Sequence, residues 1–168
     1  MAEIKELGES YVNEILGVIR RSFATVAEEF SLTEENVPKH PAFIKEETLH
    51  KRFADGIPSY GLFEGGIMVG YIAVSEEEDG YMLHNLAVLP EYRHMGFGRQ
   101  LLDFSAEKIR RAGGKKMLID IIDDNTVLKN WYIGYGFIPL RTERFPSLPF
   151  TVCFMEMPLD ELDRRTVI

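Results

Sequence analysis

Apolar residues recur along the chain at two spacings, and the switches between them outline the elements. Residues 2–8 predict a short strand ended by Gly8. Ser10 is expected to cap a helix whose apolar positions Val12, Ile15, Leu16, Ile19, Phe23 and Val26 form one stripe at helical period. Residues 31–45, with Pro38, Pro41 and several acids, read as an irregular connection, and a short helix follows over 46–55. Residues 60–64, 67–75 and 81–89 predict three strands, turning first at Gly65-Gly66 and then at the acidic run closed by Gly80. These three are expected to be antiparallel neighbours. A helix opening at 96–98 carries Leu101, Leu102, Ser105, Ile109 and Ala112 on one face and stops at Gly113-Gly114.

The run 116–122 predicts a buried strand, parallel to the strand at 81–89 because a helix separates them. A helix over 126–135 would place Val127, Leu128, Trp131, Tyr132 and Tyr135 on one side. Strands at 137–145 and 150–157 flank Phe145-Pro146-Ser147-Leu148-Pro149-Phe150. The expected fold is α/β (α+β): a mixed, mostly antiparallel sheet of six to seven strands flanked by about four helices, in a single domain over 1–168.

Composition narrows the function classes. The formal charge of −8 argues against broad nucleic-acid binding, and weakly favours a cationic amine as substrate. Cys153, the only cysteine, excludes an intramolecular disulfide and any multi-cysteine metal site; its apolar neighbours give it a packing role. No run approaches the ~18 consecutive apolar residues of a membrane helix. The start, MAEIKELGES, lacks a basic region followed by an apolar one, so the expectation is a cytoplasmic protein without a membrane partner.

Candidate chemistry concentrates in Leu86-Ala87-Val88-Leu89-Pro90-Glu91-Tyr92-Arg93-His94-Met95-Gly96-Phe97-Gly98, which runs strand, loop, helix. A helix N-terminus presents several backbone N–H groups in one direction, and its dipole favours an anion. Gly96 and Gly98 let the backbone approach a phosphate, and Arg93 either adds charge or fixes the loop. A dinucleotide fingerprint would need a third glycine where Leu101 stands, and the Walker lysine-serine pair is absent.

Arg93-x-x-Gly96-x-Gly98, after Leu86-Ala87-Val88 and Pro90, resembles the coenzyme A signature of the GNAT superfamily of N-acetyltransferases. The element order from residue 2 to 158 is similar to that family's whole fold. A second segment, Asn125-x-x-Leu128-x-x-Trp131-Tyr132-x-x-x-Gly136-Phe137, resembles the family's other signature at the same spacing. Leu128 stands for the usual alanine and Trp131 for the usual leucine, both expected on the packed side.

The resemblance implies acetyl-CoA as cosubstrate, no metal, and direct transfer of the acetyl group to a primary amine of a small molecule, amino acid or peptide. It implies a cofactor site of Leu86, Ala87, Val88, Arg93, His94, Met95, Gly96, Phe97, Gly98, Arg99, Asn125, Lys129 and Tyr132. Asn125 would hydrogen-bond the pantetheine amides, and Tyr132 would protonate the departing sulfur. A bulge near Asn85-Leu86 would aim a backbone N–H at the thioester oxygen.

For the base that deprotonates the amine, His84 is the first candidate, since histidine titrates near pH 6.5. Glu28 and Glu29 come second; Asp120 and Asp123 are weaker. Tyr60 and the turn at 145–150 either contact the acceptor or simply pack. A homodimer stays open as the assembly. The alternative is a non-catalytic acyl-CoA sensor or interaction module on the same fold.

Overall fold

A computed structural model describes residues 2–159; the ends of the expected 1–168 domain lie outside the described residues. Seven strands form one sheet: β1 (Glu3–Glu6), β2 (Ser59–Glu64), β3 (Ile67–Glu77), β4 (Gly80–Val88), β5 (Lys116–Ile122), β6 (Ile138–Arg144) and β7 (Thr151–Pro158), in the order β1-β2-β3-β4-β5-β7-β6. Four α-helices accompany them: α1 (Val12–Glu29), α2 (Glu46–Ala54), α3 (Phe97–Arg111) and α4 (Thr126–Tyr135). Helix and strand boundaries thus follow the sequence periods closely, and the sheet is mixed as expected.

The chain divides into two compact units. Of the described residues, the first holds 2–75 together with 84–104. Here β1 pairs antiparallel with β2, and β2 with β3. The glycine-rich turn at 65–66 makes this second pairing a hairpin, with positive φ at both glycines (58° and 81°). Ile15, Ile19, Leu49, Leu62, Ile72 and Leu101 are wholly buried here. Gly70 is a close-approach position: a Cβ there would stand 3.0 Å from Leu101 Cδ1 and 3.3 Å from the Ala87 carbonyl.

Of the described residues, the second unit holds 76–83 and 105–159. The parallel pairing of β4 with β5 lies within it, at Tyr81↔Met117 and Met82↔Leu118. β5 and β7 then pair antiparallel over seven residues, and β6 closes the edge against β7. Met117, Ile119, Cys153, Met155 and Met157 form its core. Cys153 is buried as expected, and burial raises its thiol pKa, so it packs as a small hydrophobe.

Three local expectations are corrected. Ser10 does not cap α1. The chain enters that helix through a 3₁₀ turn at Glu9–Tyr11, which puts Ser10 inside the turn and leaves the helix start without a side-chain cap. On α3 the buried face runs through Leu101, Leu102, Ser105, Ala106 and Ile109, while Ala112 is exposed just past the helix end.

On α4 only Tyr132 and Tyr135 are fully buried; Val127 is 81% and Trp131 40% exposed. Each of those two sits one residue, about 100° around the helix, from the inward line Leu128–Tyr132–Tyr135. Trp131 therefore does not lie on the packed side.

Gly114 gives the fold a sharp test. A Cβ there would stand 2.3 Å from Ile109 Cγ2 and 2.6 Å from the Tyr81 ring, contacts that no side-chain rotation relieves cheaply. Gly114→Ala is expected to cost about 1–3 kcal/mol of stability, measured by chemical denaturation. An unchanged midpoint would mean that this turn is looser than described.

Candidate active site

The turn after β4 belongs to the first unit and is built by backbone conformation. Pro90–Tyr92 forms a 3₁₀ turn, Arg93 returns to extended backbone, and then His94 (φ 63°) and Gly96 (φ 83°) both adopt left-handed geometry. Histidine is unusual there, because a Cβ disfavours positive φ. Gly96 has open space where a Cβ would stand, and His94, Met95 and Gly96 are exposed. α3 begins at Phe97, and the Gln100 N–H bonds the Gly96 carbonyl at 3.0 Å. The N–H groups of Phe97 and Gly98 precede that first closed turn and have no intrahelical acceptor. This donor set is chemically suited to an anion.

Arg93 resolves the choice left by its sequence position: its side chain fixes the loop. Nε donates to the Val88 carbonyl at 3.3 Å, Nη1 to Thr25 Oγ1 at 3.0 Å, and Nη2 to the Ser22 carbonyl at 2.7 Å. A second clamp, the ion pair between Arg21 and Glu91, also ties the loop to α1. Arg99 is exposed at the start of α3.

The strand leading into the turn holds the next group of expected residues. Ala87 is buried, with Leu86 and Val88 half-buried. Asn85 has φ 52°, a left-handed residue inside a strand, which is where the sequence reading expects an irregularity. His84 precedes it, and Ser75 Oγ shares a 2.7 Å hydrogen bond with His84 Nε2. Ser75 is a partner that sequence reading misses, because the pairing depends on which strands are neighbours.

The second unit carries Asn125, Lys129 and Tyr132. Asn125 is the N-cap of α4: its Oδ1 accepts from the Leu128 N–H at 3.3 Å, and the residue is buried. Lys129 forms an ion pair with Asp123, and that hydrogen bond raises its pKa. Tyr132 is 6% exposed, with its ring edge-on to Trp131 and Phe137. Its hydroxyl has no hydrogen-bond partner among the described residues. Burial, and after it the charge of Asp120, pushes the Tyr132 pKa far above 10.0, so the phenol holds its proton.

Among the other candidates, Tyr60 packs edge-on against Phe104 at 4.9 Å in the first unit. Burial raises its pKa, with a smaller contribution from Glu6. Glu28 and Glu29 are exposed at the end of α1. Asp120 has its pKa raised by burial. No group of three or more potential metal ligands occurs among the described residues, and no described helix is long and apolar enough to cross a membrane.

Sequence reading also misses Arg52, which is buried on α2 and bonded to Tyr71 and Asn85. The available signal was a charged residue on the inward line Leu49–Arg52–Phe53.

Comparison with known proteins bears on the fold and on the family separately. The Thermoplasma acidophilum PaiA N-acetyltransferase, solved in complex with coenzyme A, superposes with a TM-score of 0.79 at 21% identity, covering 94% of this chain and 99% of that one. The Escherichia coli ribosomal-protein-S18-alanine N-acetyltransferase gives 0.76 at 18% identity, over 95% and 94%. Both likenesses establish the fold. In sequence, the mouse thialysine N-epsilon-acetyltransferase is 26% identical over 140 residues, spanning 79% of this chain and 82% of that protein. The family model described as "Acetyltransferase (GNAT) family" matches residues 23–137, a stretch that contains the turn at 93–98, Asn125 and Tyr132. With the fold and both signatures in agreement, the chain belongs to the acetyltransferase (GNAT) family, whose members are acyltransferase enzymes.

Proposed function

We propose that this protein is an N-acetyltransferase that uses acetyl-CoA and passes the acetyl group to a primary amine by direct attack. The observation that carries the reading is Tyr132: a buried phenol whose hydroxyl has no described protein partner and whose proton is held firmly. The ring is buried, yet the hydroxyl oxygen is not an enclosed atom, so it borders space that a reacting group can enter. A proton donor needs such a hydroxyl, packed at the ring and open at the oxygen.

Acetyl-CoA, when bound, supplies the activated acyl group; the chain supplies orientation and protons. The backbone N–H groups at the start of α3 hold the phosphates, with His94, Met95, Gly96, Phe97, Gly98 and Arg99 as the cradle. Arg93 contributes by keeping that cradle in shape through α1. Leu86, Ala87 and Val88 offer strand backbone to the pantetheine amides, and Asn125 offers the amide Nδ2 that its capping role leaves over. Lys129, held in its ion pair with Asp123, is the remaining expected cofactor-binding residue. Tyr132 Oη donates the proton that the sulfur requires on leaving. His84 Nε2, oriented by Ser75, is the first candidate to take the proton of the attacking amine.

The direct test is release of CoA thiol from acetyl-CoA across a panel of amines. Acceptor-dependent release supports the reading; tight CoA binding without release for any amine would sink it. Tyr132→Phe is expected to lower kcat about 10²-fold, with CoA affinity, measured by calorimetry, nearly unchanged. Equal kcat in the variant would remove the proton-donor role.

The pH profile gives a second check. A raised phenol pKa means that the donor stays protonated throughout the neutral and mildly alkaline range. Thus kcat at saturating acceptor should show no alkaline fall below pH about 10. A fall near pH 8–9 that disappears in Tyr132→Phe would contradict the account.

A further inference from the structure

Within the first unit, a cleft of about 390 Å³ opens between the irregular connection before α2, α2 itself and Asn85 of β4. Pro38, Phe43 and Ile44 give it apolar walls. Every charged residue that lines it is basic: Lys39, Lys45 and Arg52. In a chain of formal charge −8, this concentration of one sign runs against the average surface. Lys45 is already paired with Glu34, so Arg52 decides what the cleft is suited to.

Arg52 occupies an inward position of α2 and is only 9% exposed. Burying a charge is costly unless a counter-charge compensates it. Yet its partners are neutral oxygens: Nη1 donates to Tyr71 Oη at 2.9 Å and Nη2 to Asn85 Oδ1 at 2.8 Å. No carboxylate pairs with it among the described residues. The seat is rigid, since Tyr71 Oη also shares a 2.9 Å hydrogen bond with Ser59 Oγ, and Tyr71 and Ser59 are 0% and 1% exposed. A guanidinium presents five N–H donors in a planar fork, and these two bonds leave the remainder for a ligand. Bidentate capture of a carboxylate is what such a fork does best.

Asn85, which holds one arm of Arg52, lies between His84 and Leu86, the stretch given above to the amine's proton and to the acyl end of the cofactor. We propose that the acceptor carries a carboxylate as well as its amine, and that Arg52 receives this carboxylate in the cleft. The substrate class is then a free amino acid or a related small amino carboxylic acid, which a cavity of this size can hold. The proposal rests on the acetyltransferase reading for the amine, but not for the carboxylate.

The experiment compares matched pairs that differ only by the carboxylate: L-lysine with cadaverine, L-ornithine with putrescine, and further amino acids with their decarboxylated amines. Thiol release should favour the carboxylated members by at least about tenfold in kcat/KM, the scale of one charge-assisted hydrogen bond. Arg52→Gln should abolish that preference through KM and keep CoA affinity. Arg52→Lys should restore part of it.

Equal or better use of the decarboxylated members by the wild-type protein would overturn the proposal, even if Arg52→Gln fails to fold. So would a preference that survives in Arg52→Gln. Calorimetry with the same pairs, without acetyl-CoA, separates the two readings. Carboxylate-dependent binding that is lost in Arg52→Gln, together with no thiol release, would leave the anion site standing and the transferase reading refuted. Absence of both would overturn the site itself.

Discussion

The guanidinium of Arg93 holds the loop after β4 against α1, and the functional reading depends on that loop keeping its shape. Its nitrogens reach the Val88 carbonyl, Thr25 and Ser22, so one side chain joins the end of a strand to the far turns of a helix. With the loop fixed there, His94 and Gly96 can sustain left-handed backbone, a conformation that costs about 1–3 kcal/mol for a residue with a Cβ. The outcome is a helix start whose N–H groups lie beside an exposed, Cβ-free position. A helix start of that kind offers backbone donors without side-chain charge, and Arg93 serves to hold the loop.

Tyr132 shows the complementary design in the second unit. α4 contributes little burial: two of its aromatic rings face inward, while Val127 and Trp131 remain outside. The capping bond from Asn125 and the glycine at the far end define a helix just long enough to present Tyr132. Burial then keeps its proton on, so the desolvation that accompanies packing of the ring also holds the phenol neutral.

Most of the fold was legible because strands and helices alternate cleanly in period and are separated by glycine pairs: 65–66 at the hairpin and 113–114 after α3. The two signature segments were legible for the same reason, being local in sequence. What escaped was non-local. Ser10 looks like a cap until a 3₁₀ turn absorbs it. Trp131 looks buried until the ten-residue helix is docked by Tyr132 and Tyr135 instead. Ser75 as partner of His84 requires the strand neighbours to be known. Arg52 is the most instructive case. The acidic composition hints at cationic amines, yet the cleft near the strand irregularity is lined by basic residues, so net charge is a poor guide to the charge of one cavity.

The central claim is that the turn at 93–98 is the phosphate seat of coenzyme A. Hydrogen–deuterium exchange of the full chain, with and without CoA, tests it at the level of individual amides. The account predicts slowed exchange at the N–H groups of Met95 through Arg99 on CoA binding, with a smaller effect when the 3′-phosphate-free analogue is used. Unchanged exchange across 94–99, with CoA bound and protection confined to other segments, would contradict it.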